Sequence, residues 1–120
     1  MYKKVAFTMY PVKDANRARA FYGGTLGLKL GSNSSNGMWS EYDLPGGGCL
    51  ALFANQDIAP SSNSGGSVAL EVDDLDAEIA RLEGEGVQFK AAMIHSPVCR
   101  MSIILDSEGN SIILHELKKR

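Results

Sequence analysis

The pattern of apolar and polar positions repeats along this chain with an offset of 60 residues. Segments 5–14 and 65–74 are both rich in strand-forming residues, and both end in Val-x-Asp. Each leads directly into residues at helical spacing, at positions 18, 21, 22 and 25 in the first copy and 75, 79 and 82 in the second. Asp14 is a suitable N-cap in the first copy, and Asp73 or Asp74 in the second. The pattern therefore predicts a duplicated strand–helix unit.

The remainder of each copy predicts a short strand followed by a hairpin. Both helices are expected to stop at glycines, which are Gly23, Gly24, Gly27, Gly84 and Gly86. Short apolar strands follow at about 28–30 and 87–89. The hairpin strands are predicted at about 38–44, 49–54, 99–105 and 111–117, with turns at 45–48 and 106–110. The polar segments 31–37 and 55–66 are predicted to be a loop and the linker between the copies.

This order of elements predicts an α+β fold within a single domain that spans residues 1–120. Two tandem βαβββ modules would occupy about 3–54 and 66–117. One module alone could hardly bury its apolar sheet face, so the two are expected to lie side by side. Together they would form a curved eight-stranded mixed sheet with the helices outside and a concave inner face. The alternative is a single α+β sandwich whose two halves are similar by coincidence.

Composition and charge narrow the range of partners. Hydrophobic residues make up 44% of the chain and charged residues 22%, as in an ordinary globular domain. The net charge of −2 argues against a nucleic-acid surface, although three basic residues stand together at 118–120. No membrane span is expected, because no apolar run approaches the ~20 residues that a spanning helix needs. Cys49 and Cys99 fit no zinc-ligand spacing, and without a visible signal peptide both are expected to be reduced thiols in a cytoplasmic protein.

Three segments of the chain match the motifs of a known protein family. The first is Phe21-Tyr22 followed by Leu26-Gly27-Leu28, and the second is the strand–helix junction at 68–76. The third is the hairpin at 105–114, in which Ser107 and Glu108 replace the Pro and second Asp of the family's Asp-Pro-Asp-Gly-Asn turn. In order and spacing these segments resemble the vicinal oxygen chelate superfamily of glyoxalases, bleomycin-resistance proteins and extradiol dioxygenases. The resemblance covers about residues 3–117.

The resemblance implies a sheet that cups a small molecule, in many members around a divalent metal ion. In those members the ligands are His, Gln or Glu in the middle of the first and last strands of each module. The matching positions here are Phe7 and Ser67 in the first strands and Ala51 and Ile113 in the last strands. Phe, Ala and Ile offer no metal ligand and Ser is a weak one. We therefore expect no metal ion and no other cofactor.

Strand alternation predicts which side chains line the inner face, since residues two apart on a strand point to the same side. The face is mainly apolar, with Glu71 and His115 toward its rim. The ligand-binding residues predicted on it are Phe7, Met9, Cys49, Ala51, Phe53, Ser67, Ile113 and His115. Arg100 is a candidate for binding an anion, with a surface ion pair as the alternative. Trp39 is expected in the core, and Glu41, on the same side, is expected to be solvated or paired.

Three of these side chains are candidates for catalysis. His115 is a candidate general base, proton donor or unusual ligand, and Glu71, assigned to the first strand of a neighbouring module, is a candidate to hold its imidazole in one tautomer. Cys99 is the better placed cysteine for nucleophilic attack, although an inert buried thiol is the alternative for both cysteines. His95 is assigned to a turn, as a surface histidine. The sequence leaves open whether His95, Cys99 and His115 converge.

These observations favour a metal-independent protein that binds or sequesters a small molecule, with a homodimer as the expected assembly. The rival hypothesis is an enzyme of the lyase or isomerase type, similar to lactoylglutathione lyase, that uses His115, Glu71 or Cys99 in a non-standard site. A third alternative is a protein whose partner is another protein, which an exposed apolar patch would favour.

Overall fold

The structure, a computed structural model, describes residues 1–117 and contains eight strands and two helices. The basic cluster at 118–120 lies outside the described residues. The chain divides into a first unit, Met1–Pro60, and a second unit that begins at Ser61. The first unit contains β1 (Thr8–Val12), α1 (Ala15–Arg19), β2 (Leu30–Asn33), β3 (Trp39–Asp43) and β4 (Cys49–Ala54). The second contains β5 (Val68–Glu71), α2 (Leu75–Gly84), β6 (Phe89–His95), β7 (Cys99–Leu105) and β8 (Ser111–Leu117).

The two units have the same strand order, which confirms the predicted pair of βαβββ modules in an α+β fold. Hydrogen bonding groups the strands four and four, in the orders β1-β4-β3-β2 and β5-β8-β7-β6. In each sheet the first strand pairs in parallel with the last, and the other pairs are antiparallel. The registers agree as well, because Met9 faces Ala51 in one sheet and Ala69 faces Ile113 in the other.

Both helices begin at the predicted aspartates. The Asp14 carboxylate accepts a hydrogen bond from the Arg17 backbone N–H at 2.9 Å, and Asp74, rather than Asp73, accepts one from Ala77 at 3.0 Å. These bonds satisfy N–H groups that the first turn of a helix leaves without an intrahelical partner. Within residues 1–117, no helix has the length and apolar character needed to cross a membrane.

Of the three glycines expected to end the first helix, only Gly27 does so. The helix continues beyond α1 as a π-helical segment, Ala20–Thr25, which includes Gly23 and Gly24. Phe21 and Tyr22 of this segment, which are adjacent in sequence, both lie in the core. The chain turns away only after Leu26, at Gly27, where φ is +76° and a residue with a side chain would be strained. Burial of two aromatic rings thus overrides the local preference of the glycines.

The core of each unit lies between its helix and one face of its sheet. In the first unit this face carries Tyr10, Val12, Tyr42, Leu50 and Leu52. In the second it carries Ile104, Ile112 and Leu114, under Leu75 and Leu82 of α2. The opposite face of each sheet bears no helix of its own unit and is less buried. We call it the open face of that sheet.

Two strands, β2 and β6, differ most from the prediction, and each does so at both ends. Residues 31–33, expected in a loop, belong to β2, and β6 extends to His95, which was expected in a turn. Both strands lie at the edges of their sheets, and both contain register shifts. A bulge interrupts the alternation of side chains, so the sequence pattern is weakest in these two strands.

Candidate functional site

The open face of the first sheet carries a group of three aromatic rings. Trp39 on β3 lies between Phe7, which precedes β1, and Phe53 on β4. The ring centroids are 5.3 Å apart for Phe7 and Trp39 and 5.4 Å apart for Trp39 and Phe53, both in edge-on geometry. Trp39 and Phe53 are half-buried, and Phe7 is 45% exposed. The expectation of Trp39 in the core is therefore wrong, because alternation along β3 places Ser40 and Tyr42 in the core instead.

Glu41 is the polar side chain at the centre of this aromatic face. It lies on the same side of β3 as Trp39, and its Oε2 accepts a hydrogen bond from the indole Nε1 at 2.7 Å. The neighbouring Cys49 thiol is 4.0 Å from the other carboxylate oxygen. Burial raises the pKa of Cys49, and the negative charges of Glu41 and Asp43 raise it further. Cys49 is therefore held as a neutral, weakly nucleophilic thiol.

The open face of the second sheet brings together two of the predicted candidates. Glu71 on β5 and His115 on β8 are direct partners in the parallel ladder. Their side chains meet with 2.5 Å between the Glu71 Oε1 and the His115 Nδ1. The other carboxylate oxygen of Glu71 accepts a bond from the Leu117 backbone N–H at 3.3 Å. Glu71 therefore holds the proton of the imidazole on Nδ1 and leaves Nε2 for other chemistry.

Cys99 joins this pair from the neighbouring strand. In the antiparallel register Met101 faces His115 and Cys99 faces Leu117, so Cys99 is the diagonal neighbour of His115 on the same face. The Cys99 thiol is close enough to the imidazole to contribute to the raised pKa of His115. Its Sγ is also 3.0 Å from the Ser96 hydroxyl, a contact that the sequence analysis missed because Ser96 lies in a turn. Three candidates named from the sequence thus converge.

His95 and Arg100 do not join this cluster. They face each other across β6 and β7, and Arg100 lies on the helix-bearing side of the sheet. Its guanidinium donates to Glu116 Oε1 at 2.7 and 2.9 Å and to Asp76 of α2 at 3.1 Å. These hydrogen bonds raise the pKa of Arg100, and the bond to Glu116 has the largest effect. Glu116 also accepts a bond from the Leu75 backbone N–H at 2.8 Å, so the ion pairs fasten α2 to its sheet.

The His115 imidazolium is stabilised in the folded protein. The hydrogen bond to Glu71 raises the pKa of His115 above its ordinary value of 6.5 and outweighs the opposing effect of burial. We expect an NMR titration to show this raised pKa and Glu71→Gln to lower it. The contribution of this contact to the free energy of unfolding should be fully present below about pH 6.5. It should be lost as the pH rises through the pKa of His115 in the folded protein. Glu83→Gln, at an exposed position on α2, is the control, and equal titration curves for all three proteins would contradict the expectation.

A cavity of about 440 Å³ lies beside the first sheet, at the ends of β1 and β4. It is lined by Val12, Lys13, Met38, Ala54, Asn55, Gln56, Ile58, Ala59 and Pro60. Most of these residues follow a strand rather than lie within it. Strand periodicity therefore gave no signal for this cavity.

Comparison with known proteins assigns the chain to a family. The model of the Glyoxalase/Bleomycin resistance protein/Dioxygenase superfamily matches residues 4–114, which is most of the sequence. The chain belongs to this superfamily. No curated protein matches the sequence.

Solved structures of the superfamily share its fold along almost the whole length of the chain. TnmS3, an antibiotic binding protein from Streptomyces sp. CB03234, is 26% identical, with a TM-score of 0.79 and 98% of each chain covered. A superfamily member from Sphaerobacter thermophilus is 24% identical, with a TM-score of 0.79 and coverage of 97% and 98%. Lactoylglutathione lyase from Agrobacterium tumefaciens is 22% identical, with a TM-score of 0.75 and coverage of 96% and 94%. The last two likenesses concern the fold alone.

The four residues that the resemblance matches to metal-ligand positions do not fit a metal ion. Phe7 belongs to the aromatic group, and Ala51 and Ile113 have apolar side chains. The Ser67 hydroxyl is 3.2 Å from that of Ser111, so its one polar group is already engaged. Within residues 1–117, no three His, Cys, Asp or Glu side chains are arranged to hold a metal. The donor chemistry that a divalent ion needs is therefore not present at these positions.

Proposed function

We propose that the protein binds a small, largely apolar and aromatic molecule on the open face of its first sheet, without the help of a metal ion. The observation that carries this proposal is the half-buried group of Phe7, Trp39 and Phe53. Rings in this environment offer a large apolar surface at low entropic cost, because each has few rotatable bonds and neighbours that fix it. Met9 shares this face and extends its apolar area, whereas Ala51, opposite Met9, has no exposed surface.

Glu41 supplies the polar contact that fixes the orientation of a bound molecule. Its carboxylate is already oriented by the Trp39 indole and stands beside the aromatic rings. Small-molecule sites typically combine a mainly apolar wall with a few polar groups of this kind. A ligand with one hydrogen-bond donor or one positive charge beside an aromatic body would fit both features.

The relationship to TnmS3 supports a binding role, because that protein is an antibiotic binding protein of the same fold. We propose that sequestration of a small molecule, rather than its conversion, is the function of this chain. The proposal includes a cytoplasmic location and a homodimeric assembly. Arg100 is left out of the proposed binding surface, since its guanidinium is engaged by Glu116 and Asp76.

Removing the Trp39 side chain is expected to weaken binding of an aromatic probe by about ten-fold or more. Loss of one ring contact and its apolar area corresponds to roughly 1.4 kcal/mol or more. N-phenyl-1-naphthylamine, a neutral dye whose emission rises in apolar surroundings, is a suitable probe. Its titration with the unmodified protein and with Trp39→Ala gives the two dissociation constants.

Leu30→Ala provides the matched control for that experiment. Leu30 is 42% exposed and faces Tyr42 on the other side of the same sheet. Its removal should leave the affinity for the dye unchanged. Equal affinities of the Trp39→Ala and unmodified proteins, or equal losses in both variants, would contradict binding at the aromatic face.

An enzyme of the lyase or isomerase type is the second candidate function. It is favoured by the contact between Glu71 and His115, which resembles the oriented base of many proton-transfer enzymes. In this alternative His115 transfers a proton, and Glu71 orients the His115 imidazole. Formation of lactoylglutathione from methylglyoxal and glutathione, lost in His115→Ala, would support it. The absence of turnover together with dye binding would favour the binding role.

A further inference from the structure

We propose that Cys99, His115 and Glu71 form a nucleophilic thiol site that captures small electrophilic molecules, of the α,β-unsaturated carbonyl class, as covalent adducts. The site lies on the open face of the second sheet and is distinct from the aromatic face proposed for reversible binding. Its parts are a thiol, an imidazole beside it and a carboxylate that orients the imidazole. This order of nucleophile, base and orienting group is the one that activates cysteine in many enzymes.

The geometry of the site comes from three neighbouring strands. β8 lies between β5 and β7, so His115 has Glu71 on one side and Cys99 on the other. The Glu71 carboxylate occupies Nδ1 at 2.5 Å, and Cys99 is the diagonal neighbour of His115 on the same face of the β7–β8 pair. Because the three side chains project from regular strands, the sheet itself holds them in position.

The Ser96 hydroxyl adds a further contact to the sulfur. It lies 3.0 Å from the Cys99 Sγ and also accepts the Cys99 backbone N–H at 3.1 Å. The one proton of this hydroxyl also reaches the Cys99 backbone carbonyl at 3.3 Å, and it can turn to the sulfur once the sulfur has lost its own proton. In that state Ser96 donates to the thiolate form of Cys99.

The two cysteines of the chain have opposite electrostatic surroundings. Cys49 lies beside the carboxylates of Glu41 and Asp43, which raise its pKa and oppose the thiolate. Cys99 instead lies beside an imidazole that can accept its proton. The thiolate is the reactive form of cysteine, and a neighbouring imidazolium favours it. The same molecule thus contains one activated cysteine and one that serves as its control.

Among residues 1–117, the charged groups of the Arg100 ion-pair network lie on the opposite side of the second sheet from this site. Glu71 of β5 and Cys99 of β7 are the titratable groups that face His115. Arg100 and Glu116 project to the side that carries α2, where they pair with each other and with Asp76. The raised pKa of His115 supports an imidazolium that persists over a wider pH range than a free histidine would.

The addition is balanced without any further reactant. His115 accepts the thiol proton, and the Cys99 sulfur forms a bond to the β-carbon of the unsaturated carbonyl. The π-electron pair of the carbon–carbon double bond moves toward the carbonyl and gives an enolate. The imidazolium then returns the proton to the α-carbon, so that the product is a thioether. No group leaves, and nothing is oxidised or reduced.

Burial limits the size of the electrophile. Cys99 is only 8% exposed, whereas His115 keeps a quarter of its side chain accessible. A reagent must therefore reach a sulfur atom that has little exposed surface. A compact electrophile reaches the sulfur under these conditions more readily than a bulky disulfide reagent does.

The test compares the labelling rates of the two cysteines in the same protein. The unmodified protein is treated with limiting N-ethylmaleimide, and the adduct at each cysteine is measured over time by peptide mass spectrometry. We expect Cys99 to react at least about ten-fold faster than Cys49, a modest part of what a positioned base contributes. His115→Ala should remove most of this difference in rate. Glu71→Gln, which lowers the pKa of His115, should move the pH profile of the Cys99 labelling rate to lower pH.

Two further variants keep the result interpretable. Trp39→Ala should leave the Cys99 rate unchanged, which separates this site from the reversible binding proposed above. Should circular dichroism show that His115→Ala does not fold, Glu71→Gln decides, since Glu71 is exposed and carries little packing. Equal labelling of both cysteines, or a Cys99 rate and pH profile that neither His115 nor Glu71 affects, would overturn the proposal.

Discussion

Tyr22→Ala is expected to lower the free energy of unfolding by about 3–5 kcal/mol, the largest loss among the substitutions considered. Tyr22 is fully buried in the π-helical segment of the first unit. Its ring meets Phe21 at 5.4 Å and Tyr42 at 6.2 Å between centroids, so its removal leaves a cavity lined by aromatic groups. Urea unfolding followed by circular dichroism measures the change, provided that the slope of the transition stays the same.

Two other tyrosine substitutions show whether the ring is responsible. Tyr22→Phe keeps the ring and should lose only about 1 kcal/mol, the usual net value of one hydrogen bond. Tyr2→Ala removes a fully exposed ring and should leave stability unchanged. A loss in Tyr22→Phe as large as that in Tyr22→Ala would assign the effect to the hydroxyl. Tyr22 is part of the Phe-Tyr motif that identified the family, and a core role explains why a tyrosine at this point serves the fold.

Asp106→Ala is expected to cost about 2–4 kcal/mol, because it leaves buried hydrogen-bond donors without an acceptor. Asp106 begins the turn between β7 and β8 and is 7% exposed. Its Oδ1 accepts the backbone N–H groups of Glu108 and Asn110, each at 2.8 Å, and its Oδ2 accepts the Asn110 side-chain amide at 3.0 Å. Thermal unfolding should shift downward by roughly 10 °C.

Asp106→Asn separates the charge from the hydrogen bonds. Its amide oxygen can still accept both backbone N–H groups, but its NH2 group would face the Asn110 amide, donor against donor. We therefore expect a loss between those of the alanine variant and the unmodified protein. Asp57→Ala, at an exposed position in the first unit, should have no effect. Full stability of Asp106→Ala would show that water replaces the carboxylate in this turn.

The strands with regular alternation could be predicted from the sequence to the residue. β4, β7 and β8 have the predicted bounds, because each has an apolar core side and is followed or preceded by a clear turn. The helix end and β2 could not be predicted in the same way. The π-helical segment depends on the burial of Phe21 and Tyr22, which is a tertiary effect that local propensities do not contain.

The candidate site could likewise be predicted only in part. The two-residue period predicted Glu71 and His115 on the same face, and the structure shows them in contact. The parallel pairing of β5 with β8 that brings them together was not predicted, because Glu71 was assigned to a neighbouring module. The approach of Cys99 required the register of β7 against β8, which a turn of several residues sets and which periodicity alone does not fix. The role of Trp39 was misjudged because its size suggested the core. The neighbouring Ser40 and Tyr42 decide instead which side it faces.

The strand order also has a consequence for synthesis of the chain on the ribosome. In each unit the last strand lies inside the sheet and is the hydrogen-bonding partner of the first strand. β1 therefore has no neighbour until Cys49–Ala54 is translated, and β5 has none until Ser111–Leu117 is translated. During each interval an unpaired strand edge is open to other nascent chains. The demand for chaperones should accordingly rise twice during translation, once for each unit.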